Sequence, residues 1–306
     1  MKKIRISLLL FLLISANTAF PQAEDITKQF NDAYRAFQSL NQDGKPEESL
    51  EFAKNALDLG LSLFDESSET IAALSYNYAL NLMDVGQQRE SAREFRKTVK
   101  IYTQVFGRDS ESLASVYFDE GRANSRINAR KSRRSFQRGI TIIGDIYGIF
   151  SLNFADINVQ AGIILSEEAN LKTAERFFEK ALNIYQNEFG RDNLYTALVN
   201  FHLGKYHFMN ANVSKAENFL SEAIVGLESL ESEGDVDQAL LTAARDLFGR
   251  LNEVASVRDE YLREVARNND EVARINRAIS SQPAPSAPSQ ARSSSSAQSS
   301  PQSSPQ

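Results

Sequence analysis

His202 and His207 are the only imidazoles in this chain of 306 residues, and cysteine is absent. Metal ligation or proton transfer by imidazole would rest on this pair. Histidines that share a metal from one helix face stand four residues apart; these stand five apart and point to different sides. The spacing predicts one histidine on a surface or groove and one in packing, with no metal and no cofactor. Lack of cysteine removes thiolate nucleophiles, thiolate metal sites, disulfides and lipid attachment through an N-terminal cysteine. GDVDQ at Gly234 has too few spaced carboxylates for a calcium loop, and there is no GxSxG, HExxH, phosphate-binding loop or dinucleotide fingerprint. With 40 acidic residues, carboxylates come together by chance, so their proximity carries no weight for a hydrolase. The sequence predicts no catalytic residues and a protein that is not an enzyme.

The remaining chemistry is electrostatic. RANSRINARKSRRSFQR, residues 122–138, holds seven basic side chains and no acidic one, in a chain of net charge −6. Arg122 and Arg126 lie at the end of one helix, and Arg130, Lys131, Arg133, Arg134 and Arg138 run along the next. Such a patch could attract an acidic partner, an anionic lipid surface or a polyanionic envelope polymer. It could equally neutralise acidic faces of neighbouring units, such as Glu167 and Glu168, where exposed pairs contribute about 0–1 kcal/mol. The overall acidity excludes a general nucleic-acid binder.

The two ends differ from everything between them. Residues 1–23 place Lys2, Lys3 and Arg5 before an apolar run from Ile6 to Ile14, the pattern of a secretory signal peptide. The run is too short to span a bilayer, and no second apolar stretch follows. Cleavage after Ala19 or Ala23 removes three basic residues and no acidic one, taking the charge from −6 to −9. Export without disulfides fits a bacterial periplasm. Residues 280–306, rich in Ser, Pro and Gln with one charge, cannot bury enough surface to offset their ordering entropy, and read as a disordered tail. Pro46 is the one proline of the body at 24–279, leaving it free to be helical almost throughout.

A period near 42 organises that body. Aromatics recur at Phe52, Phe95, Phe136, Phe177, Phe219 and Tyr261, at intervals of 43, 41, 41, 42 and 42. Four residues after each stand Ala56, Val99, Ile140, Ala181, Ala223 and Val265, on the same helix face. A small residue precedes the aromatic at Ala36, Ala79, Gly121, Gly162 and Gly204, where two helices could approach closely. Each unit reads as helix A, turn, helix B and loop. In the fourth, helix A is FADINVQAGIILSEEAN, the turn falls near Asn170 and helix B is LKTAERFFEKALNIYQNEF. FGRD at Phe106 and Phe189, with its degenerate copy YGIF at Tyr147, is punctuation: the aromatic packs inward, glycine supplies a left-handed stop, and aspartate can cap the next helix. Residues 268–279 read as a solvating end helix.

KTAERFFEKALNIYQNEFGRDNLYTALVNFHLGKYHF, with alanine pairs at Ala174 and Ala181 and at Ala216 and Ala223, resembles the 42-residue tetratricopeptide repeat of the kinesin-light-chain type. The resemblance covers about residues 26–267. Departures are the missing proline after the aspartate and Arg133 where the family places alanine. The resemblance implies an all-α, right-handed superhelical solenoid of about six antiparallel helix pairs, with the A helices lining a concave groove. Residues three before, one after, and four or five after each small position should face that groove. They are Tyr76, Leu80 and Met83; Phe118, Arg122, Ser125 and Arg126; Val159, Ile163 and Ser166; and Phe201, Lys205, Phe208 and Met209. A register slip of one residue would turn several of these aromatics into packing residues. The expected function is a non-enzymatic periplasmic scaffold that binds a protein or peptide of apolar and acidic character; the alternative is a peripheral binder docking on anionic lipid or polymer through the arginine-rich patch.

Overall fold

The computed structural model describes residues 21–167, 171–233 and 237–280, so the expected signal run and the Ser/Pro/Gln tail lie outside the described residues. Every described element is an α-helix. Five hairpins follow one another: α1 (Pro21–Gln42) with α2 (Pro46–Leu63), α3 (Glu69–Asp84) with α4 (Gln88–Phe106), α5 (Glu111–Ser125) with α6 (Ala129–Tyr147), α7 (Leu152–Glu167) with α8 (Leu171–Phe189), and α9 (Leu194–Met209) with α10 (Val213–Glu233). Consecutive helices of this series pack together, and α3, α5, α7 and α9 also touch in succession. This is the expected all-α solenoid of helix pairs. One compact unit ends at Asn252, and a second begins at Glu253.

The sixth repeat departs from a helix pair. Its two helices run on as the single α11 (Gln238–Ser280), because no proline occurs in the stretch and its one glycine, Gly249, stays within the helix. Leu241, Ala244 and Leu251 are buried in the first unit, whereas Val254 and Val257 in the second are exposed. The side chain of Tyr261, the sixth aromatic of the period, lies outside those described.

Helix starts repeat as regularly as the core. Ser68, Ser110 and Ser151 each accept a hydrogen bond from the backbone N–H three residues on, at 3.1–3.2 Å, and Asn193 accepts one from Tyr195 N at 2.9 Å. Capping therefore falls one residue beyond the aspartate of FGRD: Ser110 and Asn193 do the work expected of Asp109 and Asp192. The glycine before them is a stop, but of another kind than the common left-handed one. Gly107 (φ 86, ψ 171) and Gly148 (φ 92, ψ 147) occupy a positive-φ, extended-ψ region open in practice to glycine alone.

The buried columns correct the aromatic series by one residue in three units. The side chains that enter between the helices are Ala53, Phe95, Phe136, Phe178 and Leu220, all buried, at intervals of 42, 41, 42 and 42. Phe52 is 38 % exposed and Phe219 half-buried, while Phe177 is buried beside Phe178. The following column is Ala56, Thr98, Gly139, Ala181 and Ala223, so Val99 and Ile140 stand one place past it. The preceding one is Ser49, Ser91, Ser132, Ala174 and Ala216, all fully buried. Arg133 thus does not occupy the alanine position; Ser132 does, and Arg133 faces solvent. The single 41-residue interval arises because α5, at 15 residues, is one residue shorter than α3, α7 and α9, which have 16 each.

Small residues on the A helices explain the close approach. A Cβ on Gly121 would lie 2.8 Å from the Phe136 ring, one on Gly162 2.7 Å from Phe178, and one on Gly204 2.6 Å from Leu220. One buried spine runs from Ala72 to Leu203. A separate cluster of Phe30, Ala33, Ala56, Leu57, Ile71 and Leu74 serves the first unit, and two small clusters join α9 and α10 to the start of α11.

The hairpin turns carry a local strain. Gly44 and Gly86 take positive φ in the first two turns, and Ala211 takes φ 55 in the fifth. A left-handed non-glycine residue costs about 1–2 kcal/mol, partly offset by the backbone entropy a glycine would lose. Ala211→Gly is expected to stabilise the chain by about 1 kcal/mol, read as a raised denaturation midpoint. A lowered midpoint would show the turn to be unstrained.

Candidate protein-binding surface

The A helices hold side chains in columns that recur from unit to unit, and burial sorts the sequence-predicted groove residues. Met83, Phe118 and Val159 are buried and belong to the core, not the groove. Phe118 sits edge-on to Phe136 at 4.9 Å. Tyr76 is half-buried; its ring packs against Phe95 and Tyr102 at 6.0 and 5.9 Å. Phe201 and Phe208 are half-buried and rest against the Ala216, Leu220 and Leu251 cluster, with the Arg250 guanidinium 5.5 Å from the Phe208 ring centre. The position three before the small residue is therefore mainly a packing position, and the aromatic lining expected from the sequence is spent inside the repeats.

One residue later the surface opens. Positions six before, two before, one after and five after the small residue are spaced by four, three and four, which aligns them on one helix face. In α3 they are Ala73, Asn77, Leu80 and Asp84; in α5, Ser115, Asp119 and Arg122, followed by its C-cap Arg126; in α7, Asp156, Gln160, Ile163 and Glu167; in α9, Leu198, His202, Lys205 and Met209. All but Asp119 are half-buried or exposed. Leu80, Arg122, Ile163 and Lys205, predicted one after the small position, fall on this stripe, as do Arg126 and Met209. Ser125 and Ser166, both half-buried, turn back to their own helices, donating to the Arg122 and Ile163 carbonyls at 2.8 Å. Asn77, Asp119 and Gln160 escape the sequence reading of the groove, although each stands three residues before a residue that it does place; His202, likewise three before Lys205, is the histidine expected on a surface or groove.

Polar bonds fix parts of the stripe. The buried Asp119 carboxylate accepts from the Tyr76 hydroxyl of the preceding A helix at 2.6 Å and from Arg122 at 2.8 Å. Burial pushes the Asp119 carboxyl up, while Arg122 and the Tyr76 hydroxyl draw it back. Asp156 accepts from the Tyr185 hydroxyl. His202 stacks flat on Phe178 at 5.3 Å; burial, then the nearby Lys205, lowers its pKa from 6.5 to about 4, so it is neutral at pH 7. His207 is the packing histidine: it is buried, stacks on Phe219 at 5.4 Å, and sets Nε2 3.4 Å from Glu175. The stripe thus offers apolar contacts at Leu80, Ile163, Leu198 and Met209, cations at Arg122, Arg126 and Lys205, and carboxylates at Asp84, Asp156 and Glu167.

Two other features stand apart from the stripe. A cleft of about 350 Å³ between α2, α3 and α4 has charges that pair within its own walls, Lys54 with Asp58 at 3.8 Å and Lys97 with Glu94 at 2.7 Å. On α6, Arg130, Lys131, Arg133, Arg134 and Arg138 are all exposed. Arg138 lies 5.5 Å from the Tyr117 ring centre, and the other four have no carboxylate partner among the described residues. Pairing with Glu167 is not formed, and Glu168 lies outside the described residues.

Comparison with known proteins agrees with this architecture. The family model described as Tetratricopeptide repeat matches residues 153–228. No curated protein matches the sequence. Among solved structures, the nearly identical TPR-like repeats of a designated kinesin light chain from Podosopora anserina superpose with a TM-score of 0.55 at 12 % identity, covering 68 % of this chain and 97 % of that one. A substituted form of the same repeats gives 0.56 at 12 % identity, covering 70 % of this chain and 100 % of that one. BtubC (BKLC) from P. vanneervenii gives 0.50 at 17 % identity, covering 92 % of this chain and 100 % of that one. At such identities the likeness is one of fold.

Proposed function

We propose that this chain, a tetratricopeptide-repeat protein with repeats of the kinesin-light-chain type, acts as a protein-interaction scaffold that holds a segment of another protein along the A-helix stripe. The observation that carries this reading is the recurrence of accessible side chains at one column in four successive units, Leu80, Arg122, Ile163 and Lys205. A segment with a large apolar anchor and acidic neighbours complements them. The protein does no chemistry on what it holds. The basic and apolar N-terminal run supports action in a bacterial periplasm. Ile163→Ala with Lys205→Ala is expected to weaken the partner complex at least about tenfold with circular dichroism unchanged; because Ile163 also packs against the buried spine, the unfolding free energy should fall by about 1 kcal/mol. Unchanged affinity for every partner recovered by pull-down would remove the stripe from the binding site.

A second reading, of peripheral docking on an anionic envelope surface, draws on the four α6 cations that have no carboxylate partner among the described residues. Salt separates the two. Binding through α6 should weaken steeply with ionic strength, since the Debye length is about 8 Å at 0.15 M, whereas the apolar contacts of the stripe should tolerate salt.

A further inference from the structure

The third unit differs from its neighbours at both ends of α6, and the two differences reinforce each other. Where the second and fourth units carry Arg108-Asp109 and Arg191-Asp192 after the stop glycine, the third carries Ile149-Phe150. Phe150 is 78 % exposed and Ile149 57 %, with Ile146, Tyr147 and Leu152 exposed beside them; Phe150 is the most exposed large apolar side chain among the described residues. Along α6, Arg130, Arg134, Arg138, Thr141 and Asp145 are spaced by four, four, three and four, one stripe on an exposed face. No acidic residue occurs between Glu120 and Asp145. A helix whose outer face is basic along its first half, and which ends in an uncovered apolar tip, presents two signals at once.

We propose that α6 and the loop after it dock on an anionic lipid bilayer, the cations against headgroup phosphates and Ile149 and Phe150 in the acyl boundary. This rests on the second reading above and names its surface. A hydrated polyanion would satisfy the arginines and leave the apolar tip in water, whereas a bilayer interface satisfies both, as it does for amphipathic interfacial helices. No helix among the described residues is long and apolar enough to cross a membrane, so the contact is interfacial.

The chain contains no tryptophan, so Phe150→Trp installs a single reporter at an exposed position. With vesicles of phosphatidylglycerol and phosphatidylethanolamine, its emission is expected to move to shorter wavelength and to become shielded from acrylamide. Vesicles of phosphatidylcholine alone, and soluble dextran sulfate, should leave the emission unchanged. Ile149→Ser with Phe150→Ser should weaken sedimentation with anionic vesicles about tenfold or more, and Arg130→Ala with Arg134→Ala by a comparable factor, with circular dichroism unchanged in both. If the arginine variant loses binding while the serine variant and the tryptophan emission do not respond, docking on an anionic surface stands and membrane insertion is overturned. Equal or tighter binding to dextran sulfate overturns the choice of a bilayer. No binding to either probe removes both.

Discussion

Phe136→Ala is expected to lower the unfolding free energy by about 3–5 kcal/mol, a large share of the roughly 5–15 kcal/mol of a typical domain. The ring is fully buried, meets Phe118 edge-on, and lies over Gly121 so closely that a Cβ there would sit 2.8 Å from it. Gly121→Ala forces the ring to move and should cost about 1–3 kcal/mol by itself. The combination is the sharper test. In the double variant the new methyl grows into space that the ring has left, so the two losses should sum to more than the double variant shows, by about 1 kcal/mol or more. Equilibrium denaturation of the four proteins measures this coupling, and strict additivity would mean that Gly121 and Phe136 do not form a knob and its seat. Because the spine is shared by successive repeats, the loss should be felt by amide exchange in α3 and α7 as well as in α5 and α6.

Acidification should weaken the array through His202. Its folded pKa of about 4 lies below the ordinary value of 6.5, so the folded state favours the neutral ring. The stability this confers is present above about pH 6.5 and is lost as pH falls towards 4. Between pH 7 and 4.5 the loss amounts to about 2–3 kcal/mol. Carboxylates also titrate in this range, so the measurement is a difference. His202→Gln, which cannot take the proton, should lose about that much less stability than the parent over the same interval. Parallel pH profiles would show that the ring stacked on Phe178 is hydrated enough to ionise freely.

Helix content, repeat length and the small A-helix residues at Ala79, Gly121, Gly162 and Gly204 were legible because each follows from a local rule: few prolines, a period, a close approach. The register was harder. Phe177 and Phe178, and Phe219 and Leu220, are adjacent apolar pairs on helices, and type alone favours the aromatic member while packing chooses the one that meets the glycine of helix A. The same one-residue ambiguity moved Phe118 and Val159 from the groove to the core and hid Asn77 and Gln160, and the residue missing from α5 made Arg133 look like an alanine position. Capping slipped similarly, since Asp109 and Ser110 are both good caps and only the backbone path after Gly107 decides. The unbroken α11 was concealed by periodicity itself, because an aromatic every 42 residues says nothing of a turn between.

Photo-crosslinking in living cells tests the binding surface most directly. A photoreactive residue is placed in turn at Leu80, Gln160, Ile163 and Lys205 on the stripe, and at Arg96, Glu179 and Glu217 on exposed B-helix positions. A scaffold that grips its partner along the A helices should give the same crosslinked protein from several stripe positions and none of it from the B-helix positions. Crosslinks confined to the B helices, or a different product from every stripe position, would contradict that surface as the place where this protein holds another.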